Sequence, residues 1–327
     1  MRAFHCILQI LAVLAGSVPV AAGRSACAEE PATLAVEAAI PRSGYAMAYG
    51  FESLWMMSNG RLARVNPADN TVIDIDIPEG EGGAGLSDSD KYRGIAIGEG
   101  AVWIPDAGNS VIYKVDPQTN TVVLAVPTFI VGSAGSIGVG AGAVWVVTFD
   151  DHNKTLTRYD PGTGAQVAQI ALPRPCKAVA VDFGRVWVSA ASSPEIYVVD
   201  PHANLLEETI PIHAPSHLLT SGAGAVWVGH DTEGIVERID SSSRKVTATV
   251  STGVTDMESD GDIAFGGGYV WMINRGSTVV QIDPEAGALK AVLRPPAGTL
   301  LGRRVRFAAD ALWVSGASIF RIKVPPE

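Results

Sequence analysis

Ten residues ahead of its seven tryptophans the chain carries Tyr45, Arg93, Gly135, Lys177, His217, Gly261 and Arg303, in that order. Three residues after them stand Ser58, Asp106, Thr148, Ala190, His230, Asn274 and Gly316. If the tryptophans mark equivalent places in a repeating architecture, both sets gather around one opening. Arg93, Lys177 and Arg303 then converge as cations, with His217 a fourth when protonated, and converging cations bind an anion such as a carboxylate or phosphate on a small molecule. Tyr45, Asp106 and Asn274 add hydrogen-bonding groups to the same ligand-binding mouth. The competing reading is that the basic side chains pair with nearby acids or meet water.

Two further groupings carry chemistry. His217 and His230 flank Trp227, and an imidazole beside a carboxylate can act as a general base. No Ser or Cys with a nucleophile motif accompanies them, so the alternative is a pair of hydrogen-bonded wall residues. The run Asp256-Met257-Glu258-Ser259-Asp260-Gly261-Asp262 alternates acids before a glycine, like the start of a calcium loop. Glu258 is longer than its position prefers, and Gly267 stands where the bidentate glutamate belongs. Glu258 and Asp260 are the candidate ligands for magnesium or calcium, Asp260 also a candidate acid–base group, and a solvated, salt-bridged loop is the alternative. Cys176 adjoins Lys177, which reads either as an activated thiol or as a small core residue.

The tryptophans supply the elements that would position these groups. They recur at intervals of 48, 42, 42, 40, 44 and 42 residues, inside phrases such as AVWIPD, AVWVVT and AVWVGH. A period near 42 residues built from short strand-like runs predicts a β-propeller. The second repeat divides most plainly: strands over 94–97, 101–105, 111–115 and 121–126, with Gly98-Glu99-Gly100 and Asp116-Pro117 as turns. The Asp-Pro turn returns at Asp160, Asp200 and Asp283, as Asn66-Pro67 and as Asp240-Ser241, where an Asx side chain bonding its own turn backbone is sufficient cause. The last repeat has only three strands before the chain ends, and Thr33 to Ile40 provides the missing fourth. The expectation is all-β: a seven-bladed propeller of four-stranded antiparallel blades, its last blade closed by the N-terminal strand. One tryptophan at a fixed place per repeat suits packing between blades.

Composition bounds the partners. The chain is 47% apolar, enough for a large core, and its formal charge of −10 disfavours nucleic acid or an anionic membrane surface. Met1 and Arg2, the apolar stretch 7–15 and Ala26-Cys27-Ala28 read as a secretory signal peptide over 1–28, with the propeller occupying 29–327 and a cut after Ala22 as the rival. The apolar stretch is too short to span a bilayer. Cleavage leaves 22 basic against 34 acidic residues and one cysteine, Cys176, so no internal disulfide can form. Covalent haem is excluded by the lack of CxxCH. A periplasmic or secreted monomer is expected.

The repeat GAGAVWV, followed by a strand and an Asp-Pro turn, resembles the YVTN/YncE-type β-propellers and the virginiamycin B lyase (streptogramin lyase) family over the whole mature chain. Likeness to the first implies a periplasmic or secreted protein without established catalysis. Likeness to the second implies elimination on a cyclic depsipeptide, with magnesium held by glutamates and a histidine base. By blade position the substrate-side histidine falls at His217 and one metal glutamate at Glu258. The base histidine falls at Asp260 and the second metal glutamate at Asn274, both departures from that pattern. A secreted propeller binding an anionic small molecule or an acidic partner segment, a metal-dependent lyase and a protein-docking platform are the readings in play. On export, the mature N-terminus measured by mass spectrometry is expected at Glu29, or at Gly23 for the rival cut; retention of Met1 would remove the leader reading.

Overall fold

A computed structural model describes residues 32–78, 94–130, 136–148, 154–254, 261–274 and 278–324. The leader assigned to 1–28 lies outside them. Their regular structure is entirely β, in seven sheets. The second repeat forms strands Ala96–Gly98, Ala101–Asp106, Val111–Asp116 and Thr121–Pro127, paired antiparallel in sequence order. First strands of neighbouring blades touch all the way round, and that of blade seven touches that of blade one. The ring is closed.

Local sequence explains each layer. The second strands, such as Ala143–Thr148, are apolar without a break and buried on both faces, while the fourth strands alternate because one face meets water. Between first and second strands both central turn residues have positive φ, as at Glu99 (49°) and Gly100 (74°), the type I′ geometry that matches strand twist. The Asx turns form as expected: Oδ1 of Asp116, Asp160, Asp200, Asp240 and Asp283, and of Asn66, each accepts a backbone N–H two or three residues on. Those N–H bonds, with Ser242 and Ser243 hydroxyls added, hold the Asp240 carboxyl down at about 2.

Seven hydrophobic clusters lie between successive blades, each containing one tryptophan. All seven indoles are buried. Each donates its Nε1–H to the carbonyl five residues earlier, at the end of the first strand: Gly50, Gly98, Gly140, Asp182, Gly222, Gly266 and Ala308, at 2.9–3.2 Å. A cation from the third strand covers five of the rings: Arg64, Lys114, Arg158, Arg238 and Arg321, 4.9–5.9 Å from the centroids. Four of these cations reach into the next blade's Asx-Pro turn and donate to a proline carbonyl. Arg64 bonds Pro117 at 2.6 Å, Lys114 bonds Pro161 at 2.7 Å, Arg158 bonds Pro201 at 2.7 Å and Arg321 bonds Pro67 at 2.6 Å.

The N-terminal strand departs from its expected form. Only Ala35–Ile40 completes blade seven, antiparallel to Ile319–Lys323. Ala32–Thr33 instead adds a parallel fifth strand to blade six, beside Leu293 and Arg294. Leu34 makes the crossing, its N–H on Arg294 O at 2.8 Å and its side chain buried with Trp271, Leu293, Leu312 and Ile322. One apolar side chain between two blades thus splits the strand into a strap. Leu34→Ala is expected to cost about 2–5 kcal/mol in denaturant unfolding; a cost under about 0.5 kcal/mol would show that the strap does not hold the blades.

Candidate functional site

The central channel opens into a cavity of about 610 Å³, continuous with solvent and lined from all seven blades. Its wall is set by hairpin register. The two-residue turn places the residue seven before each tryptophan opposite it, as Ala48 faces Trp55 and Arg306 faces Trp313. Residues nine before therefore line the channel: Ala46, Gly94, Ala178, Leu218, Asp262 and Arg304, with Ile137 from blade three. Those ten before lie opposite the residue three after, at the rim where the strands end.

This register distributes the sequence candidates. His217 lines the cavity. Tyr45, Lys177 and Arg303 are half-buried near the rim and are not among the cavity's lining residues. Arg93, Glu258 and Asp260 lie outside the described residues. Asp106 is fully buried, accepting from Asn109 N at 3.0 Å and Asn109 Nδ2 at 2.6 Å, so it closes its own loop. Asn274 is likewise buried, its N–H on Thr278 O and its Nδ2 3.5 Å from Asp231 O. Cys176 sits in the core between blades three and four.

His230 does not reach the channel. It shares strand parity with Val228 and so points at blade four, sealed from solvent. Its Nε2 lies 2.9 Å from Glu237 Oε2, and the ring of His213 packs edge-on at 5.6 Å. The His213 N–H donates to the same carboxylate oxygen at 2.8 Å. The His230 Nδ1 has no hydrogen-bond partner among the described residues. His230 is buried away from the channel, while His213 is exposed on the outer side of the pair. His213, just past the strand Leu205–Pro211 of blade four, is the partner that periodicity could not reveal.

The charged groups of the cavity are Arg304, Arg306 and Asp262. Arg304 spans three blades, donating to Tyr45 O at 3.0 Å, Gly261 O at 3.0 Å and Arg303 O at 3.3 Å. The Gly261 N–H is held by buried Asp231 Oδ2 at 3.0 Å, so blades five, six, seven and one are fastened in series round the mouth. Gly261 is required there: a Cβ would stand 2.4 Å from Ile273 O. Asp262 accepts Val305 N at 3.0 Å and Arg306 Nη1 at 2.6 Å. The Arg306 Nη1 also meets Val305 O, and its Nε and Nη2 have no partner among the described residues. The alternation in Arg303-Arg304-Val305-Arg306 carries the signal for these two arginines, which stand one and three positions inward of the rim residue Arg303. Asp262 closes the acidic run that reads as a cation loop; here it links blades six and seven. Among the described residues no three His, Cys, Asp or Glu side chains converge to hold a metal. Asn274, at a position where the lyase resemblance puts a glutamate, spends its amide on Asp231. The described residues therefore do not make up a magnesium site.

Neither a family model nor a curated protein sequence matches the chain. Solved structures do. Virginiamycin B lyase from Staphylococcus aureus superposes with a TM-score of 0.70 at 13% identity, over 86% of this chain and 95% of that one. The fold is that of a virginiamycin B lyase-like seven-bladed propeller. A streptogramin B lyase gives 0.70 at 15% identity, covering 88% and 95%. A chain of the mitotic checkpoint complex gives 0.73 at 8%, covering 99% of each. A lyase and a component of an assembly fit equally well, so the likeness specifies blades and not chemistry. No helix among the described residues is long and apolar enough to cross a membrane.

The buried carboxylate yields a pH prediction. Burial pushes Glu237 up, but the hydrogen bonds from His230 and the His213 N–H outweigh it and hold the carboxyl below its ordinary 4.5. A carboxyl depressed by folding stabilises the fold above 4.5 and loses that contribution as pH falls through its folded value. Thermal unfolding followed by circular dichroism is expected to show stability dropping below about pH 4.5, with a shallower drop in Glu237→Gln. Equal slopes in the two proteins would contradict the assignment.

Proposed function

We propose that this protein is a secreted or periplasmic propeller that binds an anionic small molecule, or an acidic segment of a partner, at the mouth of its central channel. The observation carrying this reading is a cavity whose described lining includes Arg304, Arg306 and His217 together with the carboxylate of Asp262. The cavity is open to solvent, so an anion can reach it from outside. Arg303 and Lys177 near the rim extend the positive field outward and draw an anion in against the chain's overall negative charge. His217 acts as a hydrogen-bonding wall group. The leader-like residues 1–28 support export.

A thermal-shift series separates this reading from the lyase and docking alternatives. Organic anions at about 100 times Kd are expected to stabilise the protein by about 2.7 kcal/mol, a rise of a few degrees, and neutral analogues are not. The shift is expected to shrink in Lys177→Gln and Arg303→Gln and to survive EDTA. Metal-dependent turnover abolished by EDTA and by Glu258→Gln would replace the reading with the lyase. A pull-down partner retained by Arg306→Gln, with no anion shifting the melt, would replace it with docking.

A further inference from the structure

Resting on the channel reading just given, we infer that the ligand is a polyhydroxylated carboxylate of the sugar-acid class, its carboxylate on Arg306 and its hydroxyls on main-chain groups of the channel wall. In every blade the first strand is the inner edge of its sheet and takes a strand partner on one side only. Antiparallel pairing turns the N–H and C=O of alternate residues away from that partner. The residue nine before the tryptophan bonds the second strand, as Met57 N donates to Ala46 O at 3.2 Å and Val147 N to Ser136 O at 2.9 Å. The residue eight before therefore turns its N–H and C=O to the channel. Met47, Ile137, Val179 and Ile263 hold this place and line the cavity, yet their side chains belong to the clusters between blades. What they present to the cavity is main chain.

Blades six and seven show what such groups bind. Ile263 N donates to Asp262 Oδ1 and Val305 N to Asp262 Oδ2, each at 3.0 Å, and Val305 O accepts from Arg306 Nη1. One protein carboxylate thus takes edge N–H groups from two adjacent blades. In blades one to five the place of Asp262 is held by Ala46, Gly94, Ser136, Ala178 and Leu218, none of which carries a carboxylate. The N–H and C=O of Met47, Ile95, Ile137, Val179 and Leu219 face the contents of the cavity instead. A donor and an acceptor from each of these blades stand in one tier round the mouth. A hydroxyl both donates and accepts, so a compact body bearing several hydroxyls matches them. An apolar body would leave these groups with neither water nor partner, which is costly. An extended peptide needs its partners in line along one strand, not one pair per blade. The head follows from Arg306, whose Nε–Nη2 edge has no partner among the described residues and presents two parallel N–H groups to a carboxylate.

The test is calorimetric titration of the mature protein with glucuronate, cyclohexanecarboxylate, glucose and triglycine. The first three share one ring size and differ in carboxylate and hydroxyls. Glucuronate is expected to bind at least about tenfold tighter than each of the others. Arg306→Gln is expected to lose at least about tenfold of that affinity, and Arg306→Lys, which keeps the charge without the fork, to lose part of it. Circular dichroism checks the fold of both. Ala178→Asn tests the wall separately, because its amide oxygen can take an edge N–H as Asp262 does, without adding charge. It is expected to weaken glucuronate more than cyclohexanecarboxylate. Cyclohexanecarboxylate binding as tightly as glucuronate through Arg306, or equal losses in Ala178→Asn, would overturn the hydroxylated class and leave the anion site standing. Triglycine as the tightest of the four would do the same and favour a partner segment. Glucose equal to glucuronate, or no binding by any anion, would overturn both.

Discussion

The indole N–H bond to the carbonyl five residues earlier is the constraint on which this molecule depends. A tryptophan buried between blades carries a donor that water cannot satisfy, and leaving it unpaired would cost on the order of 1–3 kcal/mol. Pairing it with the end of the first strand pins the hairpin at one register in every blade. A slip of one residue would break that bond and turn each side chain to the opposite face. Channel and interface residues are thus set together, which is how Arg304 and Asp262 come to be neighbours while lying 42 positions apart.

Exceptions in the second tier follow the same logic. Cations over the indoles reach forward only where the next blade offers an Asx-Pro turn. Val198 replaces the cation in blade four, and its neighbour carries Asp240-Ser241, where the serine bonds Gly224 O instead. Gln281 replaces it in blade six, whose neighbour has no such turn because the N-terminal strand completes it. Arg238 of blade five is the one cation facing a proline turn that stays within its own blade, on Thr247 Oγ1. Each blade-to-blade clasp requires both halves, and where one half is missing the other is missing too, with that single departure.

Much of this was legible in the residues. Blade number, strand order, Asx turns and the closing role of the N-terminus follow from spacing and turn chemistry, which are local. The channel wall was missed by one position. Counting back from Trp313 to Arg303 lands on the rim, because the length of a two-residue turn, not the period, fixes which residue faces inward. His230 was placed on the channel because it ends a second strand; its parity with Val228 turns it towards Glu237 and His213, a contact between two blades that no single repeat contains. The strap was hidden for a similar reason, since Leu34 differs from its neighbours only in what it meets across blades six and seven.

The functional account rests on one guanidinium. Arg306 stands in the channel wall with its Nη1 on Asp262 and Val305 O and, among the described residues, no partner on its Nε or Nη2. A crystal structure of the complex with a small carboxylate such as acetate tests this most directly. The account predicts carboxylate oxygens roughly 2.7–3.2 Å from Arg306 Nε and Nη2. Ligand density elsewhere, or a protein carboxylate closing the Nε–Nη2 edge of Arg306, would contradict it.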